Sequence, residues 1–454
     1  MKYELDFIDQ IIKAYDVRGL VENYLTPEFV FDIGQAFAML VKSECIVVGH
    51  DMRPSSPELV RAFSEGVNLQ GTDVINIGLS STDQLYFATG RLEMPGAMFT
   101  ASHNPAPYNG IKMAQAFAKP IGRDSGLDFI RGILVNGNYA ELDKNKKGKV
   151  VFQDLLVEYA QFLNKLVDCK NIRPLKVVID AGNGMAGHTA PKIFANLPLE
   201  VIPMFFELDG TFPNHEANPI DAKNLRDLQK AVIKHGADIG LAFDGDADRC
   251  FLVDENGETV NPSDLTALIA ERELKKHPGS SIIYNLISSR SVAEVIEENS
   301  GTALRSRVGH SYIKAMMAQS GAIFGGEHSG HFYFKDFWKA DSGALAALHA
   351  IAALGSSKVS LSKLLKPYQR YFSSGEINSK VKDAQHSMSV IEKQYADLDS
   401  VTIDHLDGLT VNGDTWWFNL RPSNTEPLLR LNVEAKDLAR MEKIKKEVLA
   451  TVRK

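Results

Sequence analysis

Cysteine is scarce. Only Cys45, Cys169 and Cys250 occur in 454 residues, too few and too widely spaced for a disulfide framework or a zinc site, and a reducing, cytoplasmic location is expected. Basic residues are the minority: 50 Lys and Arg face 57 Asp and Glu, for a net charge of -7. Neither nucleic acid nor an anionic membrane surface is therefore expected as the main partner. Long apolar runs are missing as well. The most apolar stretch, Gly343 to Leu354, is interrupted by His349 and falls well short of the ~20 residues that span a bilayer, so a buried helix is predicted there. Met1 to Ile12 carries Glu4, Asp6 and Asp9 without an apolar core of signal-peptide length, which gives no reason to expect a secretory route. Low-complexity sequence is absent.

What is present is ordinary globular composition, 44% apolar and 24% charged, in a chain long enough for roughly three or four domains. Short β-branched runs alternate with amphipathic helical patterns. In the first third, strands are predicted at Cys45 to Gly49, Asp73 to Ile77 and Gly96 to Phe99, with a helix opened by Ser56-Pro57. The middle third repeats the plan with Lys176 to Ile179, Glu200 to Phe206 and Asp238 to Phe243, and a helix from Leu225 to Ile233 ended by His235-Gly236. A third unit offers Ser281 to Asn285, Thr302 to Val308 and Gly321 to Phe324. In each unit a polar loop follows the third strand, and ligands of such sheets bind outside the carboxyl ends of the strands. A change of pattern at Lys366 to Ser374 predicts a linker. Strands at Glu376 to Val381, Val401 to Ile403, Trp416 to Leu420 and Leu428 to Val433, with flanking helices, then predict a smaller α+β domain.

Each loop carries chemistry. Thr100-Ala101-Ser102-His103-Asn104-Pro105 presents a small hydroxyl beside an imidazole, with Asn-Pro blocking a helix; an ordinary Asx-type turn has the same composition. Asp244, Asp246 and Asp248 at i, i+2 and i+4 can turn three carboxylates toward one hard cation. A calcium-binding EF-hand would explain Glu255 at position twelve, but Arg249 stands where that loop needs glycine and the flanks are strand-like. A phosphatase using Asp244 as nucleophile is a second alternative. Arg421 to Pro427 offers a guanidinium, hydroxyls and an amide suited to a phosphate dianion, although hairpin loops look similar. Glu327 and Ser329 could bind vicinal hydroxyls of a sugar. Singly, His310, His331, Lys112 and Arg18 are unremarkable.

Taken together, Thr100 to Pro105, Asp244 to Arg249, Gly326-Glu327-His328-Ser329-Gly330-His331 and Arg421 to Pro427 occur in an order and spacing that resemble the α-D-phosphohexomutase superfamily, most closely its bacterial phosphomannomutase/phosphoglucomutase branch. Lys13 to Gly19 and Ser374 to Ser379 are similar to that branch too, so the likeness covers nearly the whole chain. The resemblance implies three similar mixed α/β domains and a C-terminal α+β domain around a central cleft. On this sequence they are placed at 1–150 with the phosphoserine loop, 151–255 with the metal loop, 256–367 with the sugar loop and 368–454 with the phosphate loop. It further implies that Ser102 carries a phosphoryl group and that Asp244, Asp246, Asp248 and a phosphoserine oxygen hold Mg²⁺. Arg18, His103, Lys112 and Arg249 would lie near the transferring group, with Lys112, His310 and His331 as proton-transfer candidates. Tyr15, Glu327, Ser329, Arg421, Ser423, Asn424 and Thr425 would bind the substrate.

The implied reaction moves phosphate between the 1- and 6-positions of a hexose monophosphate, mannose before glucose, through a hexose 1,6-bisphosphate that also serves as activator. A monomer or weak dimer is implied. Phosphoserine brings roughly -2 and the aspartates -3 against +2 from Mg²⁺, so about three cations are needed nearby, and Arg18, Lys112 and Arg249 supply them. Two positions matter for the choice of sugar: His328 stands where many members of this branch have Met, while Asn424 matches the phosphomannomutase-like branch, where many glucosamine and glucose mutases have Gly. Phosphoglucosamine mutase and a Mg²⁺-dependent sugar phosphatase are the alternatives.

Overall fold

The computed structural model describes residues 2–140, 147–169, 171–422 and 428–453. The chain divides into two compact units, Met1–Val260 with Ser329–Ser362 and Asn261–His328 with Lys363–Lys454.

The first unit opens on a seven-stranded sheet made of β1 (Val17–Leu20), β2 (Cys45–His50), β3 (Asp73–Leu79), β4 (Gly96–Phe99), β5 (Tyr108–Gln115), β6 (Lys119–Pro120) and β7 (Val150–Phe152). The strand order is β1-β5-β4-β2-β3-β7, with β6 beside β5. From β4 to β7 neighbouring strands are parallel, as the alternating pattern predicts. β5 is the exception, running antiparallel to both β1 and β4. It is the direct return of the chain after the Ser102 loop and needs no helical crossover. Helices at Pro27–Val41 and Ser56–Leu69 cover one face, where Phe29, Phe37, Phe63 and Phe99 form a buried core.

A second sheet comprises β8 (Leu175–Asp180), β9 (Leu199–Met204), β10 (Ile239–Phe243) and β11 (Cys250–Asp254) in the order β11-β10-β8-β9. β8, β9 and β10 are parallel, and β11 returns antiparallel on β10 after the aspartate loop. All five residues of β10 are buried.

In the second unit β12 (Ser281–Asn285) lies between β13 (Thr302–Ser306) and β14 (Phe324–Gly326), all parallel. The antiparallel pair β15 (Phe332–Phe334) and β16 (Ala340–Asp341) belongs to the first unit. So does the apolar helix Gly343–Gly355, every residue of which is buried.

The last sheet, in the second unit, is antiparallel throughout: β17 (Phe372–Lys380), β18 (Thr402–Asp404), β19 (Leu409–Asn412), β20 (Trp416–Pro422) and β21 (Leu428–Ala435), ordered β17-β21-β20-β19-β18. One expectation is corrected here. Lys366 to Ser374 is not a plain linker: a 3₁₀ turn spans Lys366–Tyr368, and β17 starts at Phe372 with an irregularity between Ser373 and Glu376. Arg370 binds Glu294 and Glu298, and Tyr371 donates to Glu294, so a segment of linker-like composition is held by charge.

Candidate active site

Register in the first sheet decides which side chains face the Ser102 loop. Paired residues on neighbouring strands share a face, and successive residues alternate. Val17, Phe99 and Ile111 are paired across β1, β5 and β4 and are fully buried in the aromatic core. Arg18, opposite Gly110, and Lys112, opposite Met98, therefore fall together on the other face. Tyr15 sits half-buried just before β1.

After β4 the chain turns. Ser102 adopts a left-handed backbone with φ of 51°, a conformation that a non-glycine residue holds only when its surroundings enforce it. Its N–H donates to Thr100 Oγ1 at 2.9 Å. Its hydroxyl donates to Asp244 Oδ2 at 2.8 Å and lies 3.2 Å from His103 Nδ1. Asp244 stands at the carboxyl end of β10, so two strand ends of two sheets meet here. The close approach depends on Gly245, where a Cβ would lie 2.5 Å from the Ser102 carbonyl oxygen. Ser102 is 1% exposed.

Asp244, Asp246 and Asp248 each offer a carboxylate oxygen within 4.8 Å of the others. Asp246 accepts from Lys112 Nζ at 2.7 Å and from Thr82 Oγ1 at 2.5 Å, both through Oδ2; Asp248 accepts from Lys112 at 2.6 Å through its own Oδ2. The Oδ1 atoms of Asp246 and Asp248 are buried with no hydrogen-bond donor. Buried carboxylate oxygens without donors are costly, and an all-oxygen donor set is what a hard divalent cation takes. The residues present thus fit such an ion. Electrostatics agree: burial, then the charges of Asp248 and Asp246, push the Asp244 carboxyl well above its usual range. Burial opposes the Asp246 carboxylate too, but Lys112 and Thr82 outweigh it and its pKa is lowered. The same contest holds Lys112 well above its usual pKa, with Asp246 and Asp248 overcoming desolvation.

The other predicted residues of this unit converge on the same loops. Arg249 Nε is 3.5 Å from Asp244 Oδ2, and the Arg249 N–H donates to Asp244 Oδ1 at 3.1 Å. Arg18 donates to Asn104 Oδ1 at 2.7 Å and to Asp16 Oδ2 at 2.5 Å. The His103 pKa is lowered well below the usual value by burial and then by Arg249 and Arg18. His331 bridges to Arg249 along the backbone, and its Nδ1 is 2.8 Å from Asp341 Oδ2 and 3.7 Å from Asp248 Oδ1. Glu255, the residue an EF-hand would need, accepts from the Ser362 N–H and hydroxyl instead. Ser329 belongs to this unit and is half-buried.

In the second unit Glu327 follows β14 and is 2% exposed, accepting from the Gly309 N–H at 3.3 Å and Asn285 Nδ2 at 3.4 Å. Arg421, near the end of β20, donates to Glu376 Oε2 at 2.6 Å. Burial, and to a smaller extent Arg421, hold His328 below its usual pKa. Ser423, Asn424, Thr425 and the side chain of His310 lie outside the described residues.

Two residues with a place in the site were not anticipated. Asp341 orients His331; ten residues of sequence separate them, and no motif marks the pair. Thr82 begins the helix Thr82–Arg91 and holds Asp246 twice, by its hydroxyl and by its N–H, which donates to the Asp246 carbonyl at 3.0 Å. No local signal could have found a contact across 164 positions.

Four matches in chain order account for nearly all of the sequence: phosphoglucomutase/phosphomannomutase alpha/beta/alpha domain I over residues 9–134, domain II over 157–257, domain III over 261–371, and the C-terminal domain over 376–451. A phosphomannomutase of Escherichia coli K12 is 38% identical over 431 residues, covering 93% of this chain and 94% of that protein. A phosphomannomutase of Vibrio cholerae is 40% identical over 437 residues, again covering 93% and 94%. Among solved structures, a phosphoglucomutase/phosphomannomutase family protein from Burkholderia thailandensis superposes with a TM-score of 0.88 at 32% identity, covering 97% of both chains. These likenesses define the class, a phosphohexomutase, which is an isomerase. The chain belongs to the phosphoglucomutase/phosphomannomutase family.

Proposed function

We propose that this phosphohexomutase interconverts hexose 1-phosphate and hexose 6-phosphate, mannose first and glucose second, with Ser102 as the phosphate carrier. The observation that carries the reading is the buried Ser102 hydroxyl, 2.8 Å from Asp244, in a carboxylate cluster where Oδ1 of Asp246 and Oδ1 of Asp248 lack donors. Mannose is favoured because relatives at 38–40% identity over nearly the full chain are phosphomannomutases, and because Asn424 is of that type.

In the forward half-reaction the bond between Ser102 Oγ and phosphorus breaks as the free hydroxyl of the bound hexose monophosphate bonds to phosphorus; the sugar hydroxyl proton passes to a base, and Ser102 Oγ leaves as the hydroxyl by taking up a proton. The product is a hexose 1,6-bisphosphate. In the return half-reaction its other phosphate is attacked by Ser102 Oγ, which gives up its proton, while the sugar oxygen leaves and takes one up, and the phosphoserine is restored. Phosphoryl transfer asks the protein mainly for position and compensating charge, and Arg18, Lys112 and Arg249 supply the charge. Of Lys112, His310 and His331, the last has the arrangement expected of a base. Its Nδ1 lies 2.8 Å from Asp341 Oδ2, a carboxylate that can hold the ring in one orientation. His103, whose Nδ1 lies 3.2 Å from Ser102 Oγ, is assigned to hydrogen bonding at the transferring group.

Mg²⁺ is the ion we assign to Asp244, Asp246, Asp248 and a phosphoserine oxygen; when bound it supplies positive charge against the transferring group. Tyr15, Glu327 and Ser329 are assigned to the sugar, and Arg421, Ser423, Asn424 and Thr425 to the phosphate that is not reacting. Hexose 1,6-bisphosphate is the activator that restores the phosphoserine. A cytoplasmic monomer or weak dimer is the assembly we assign; among the described residues no helix is long and apolar enough to cross a membrane. The test is Ser102→Ala in a coupled assay with mannose 1-phosphate and glucose 1-phosphate. Turnover is expected to vanish even with bisphosphate supplied, and activity near that of the unsubstituted protein would overturn the assignment.

A further inference from the structure

Arg53 is among the most deeply buried charged side chains described, at 1% exposure, and it lies outside every motif that pointed to function. An arginine has five N–H donors in a fixed planar fork. Here all five are engaged. Nε donates to Asp51 Oδ2 at 3.1 Å. One terminal nitrogen donates to the carbonyls of Pro105 and Tyr108, both at 2.9 Å, and the other to those of Ser102 at 3.0 Å and Asn104 at 2.7 Å. Four of the five bonds therefore fall on the main chain of the loop that carries Ser102 and of its return into β5.

Neighbouring groups hold the fork in place. Asp51 accepts from the Arg53 N–H at 3.0 Å and from Ser56 Oγ at 2.7 Å, and its own N–H is tied to the Phe99 carbonyl at the end of β4. Phe212 lies against the guanidinium, its ring centroid 5.2 Å from Cζ. Gly210 has to be glycine at this point, since a Cβ there would sit 2.6 Å from Arg53 Cα. The Ser102 carbonyl is thus gripped by Arg53 on one side and approached closely by Gly245 on the other. Fixing that carbonyl fixes the peptide plane after Ser102, and with it the left-handed conformation that aims Oγ at Asp244.

We propose that Arg53 is a positioning residue of the phosphate-carrying loop: its fork, by binding four loop carbonyls at once, holds Ser102 in the geometry from which phosphoryl transfer occurs. The inference rests on Ser102 being the phosphate carrier. With every N–H already used inside the protein, Arg53 has none to offer a phosphate, and its effect must pass through the loop. Lysine keeps the charge but has three donors on one atom and cannot span four carbonyls.

The experiment compares Arg53→Lys with the unsubstituted protein in steady-state kinetics, per folded molecule, beside peptide mapping of the phosphate. A carrier oxygen displaced by about an ångström costs on the order of 100-fold in kcat, while substrate binding made by other loops leaves KM within about threefold. Restoration of part of kcat in Arg53→Ala by added guanidinium is the matching expectation. A role confined to stability would lower the melting temperature and leave kcat per folded molecule unchanged, and that result overturns the proposal. Should Arg53→Lys not fold, Phe212→Leu keeps the fork and loosens its support. A fall in kcat at constant KM upholds the inference there, and an unchanged kcat rejects it. If the unsubstituted protein carries no phosphate at residue 102, it is the carrier reading that fails, and the two failures are told apart.

Discussion

Thr82→Val is the most informative substitution beside the aspartate cluster, because it removes one oxygen and almost no volume. Thr82 and Asp246 are both fully buried. The Thr82 hydroxyl donates to Asp246 Oδ2 at 2.5 Å, leaving Oδ1 of that carboxylate without a donor. Hydrogen bonds to charged groups contribute about 1.5–3 kcal/mol, so stability should fall by about that amount. The second consequence concerns the ion. Groups behind a metal ligand hold its orientation, and their loss weakens metal binding by roughly 10–100-fold. Lys112 still binds Oδ2 in the variant, which places the expected loss near the lower end, about 10-fold. Mg²⁺ titration by calorimetry and of activity measures it, with denaturant unfolding for stability. Thr82→Ser retains the hydroxyl and should restore both. Unchanged Mg²⁺ affinity in Thr82→Val, or a serine variant that behaves like valine, would refute the reasoning.

Asp264 offers a pH dependence remote from the site. It lies in the first turn of the helix Pro262–Lys276, and burial raises its pKa to about 7. A carboxyl whose folded pKa lies above its unfolded value disfavours folding once pH exceeds the unfolded value; the penalty grows between about 4 and 7 and is constant above that. Asp264→Asn should therefore stabilise the protein at pH 8, by at most about 4 kcal/mol and less in practice because the helix N-terminus favours the charge, with the gain vanishing near pH 4. A melting temperature equal to that of the unsubstituted protein at both pH values refutes it. Arg421→Ala should raise KM for the hexose phosphate by roughly 10–100-fold through loss of about 1.5–3 kcal/mol of charge-assisted bonding. An unchanged KM counts against the phosphate loop.

The loops of the candidate site were legible because each follows a run of apolar, β-branched residues, and a strand end is where a parallel sheet presents its ligands. Ser102, Asp244 and Glu327 all stand just past such ends, on β4, β10 and β14. β5 was harder to see. Tyr108-Asn109-Gly110 has the composition of a turn, yet Gly110 is a strand residue, where a Cβ would lie 2.5 Å from the Val17 carbonyl oxygen and 2.8 Å from that of Thr100. The glycine records close backbone approach, and local sequence cannot separate that from a turn. Thr82 and Arg53 were invisible for another reason: each contacts a loop distant in sequence, and Asp341 meets His331 across ten residues that no motif spans. Composition also misled at Lys366 to Ser374, where Arg370 and Tyr371 bind glutamates of a preceding helix.

Peptide mapping of the phosphate after incubation with hexose 1,6-bisphosphate tests the central claim most directly. The predicted result is a single phosphoester on the peptide containing Ser102, lost when hexose monophosphate is added in excess and absent from Ser102→Ala. A hydroxylamine-sensitive acyl phosphate on Asp244, or no covalent phosphate at all under conditions of turnover, would contradict it.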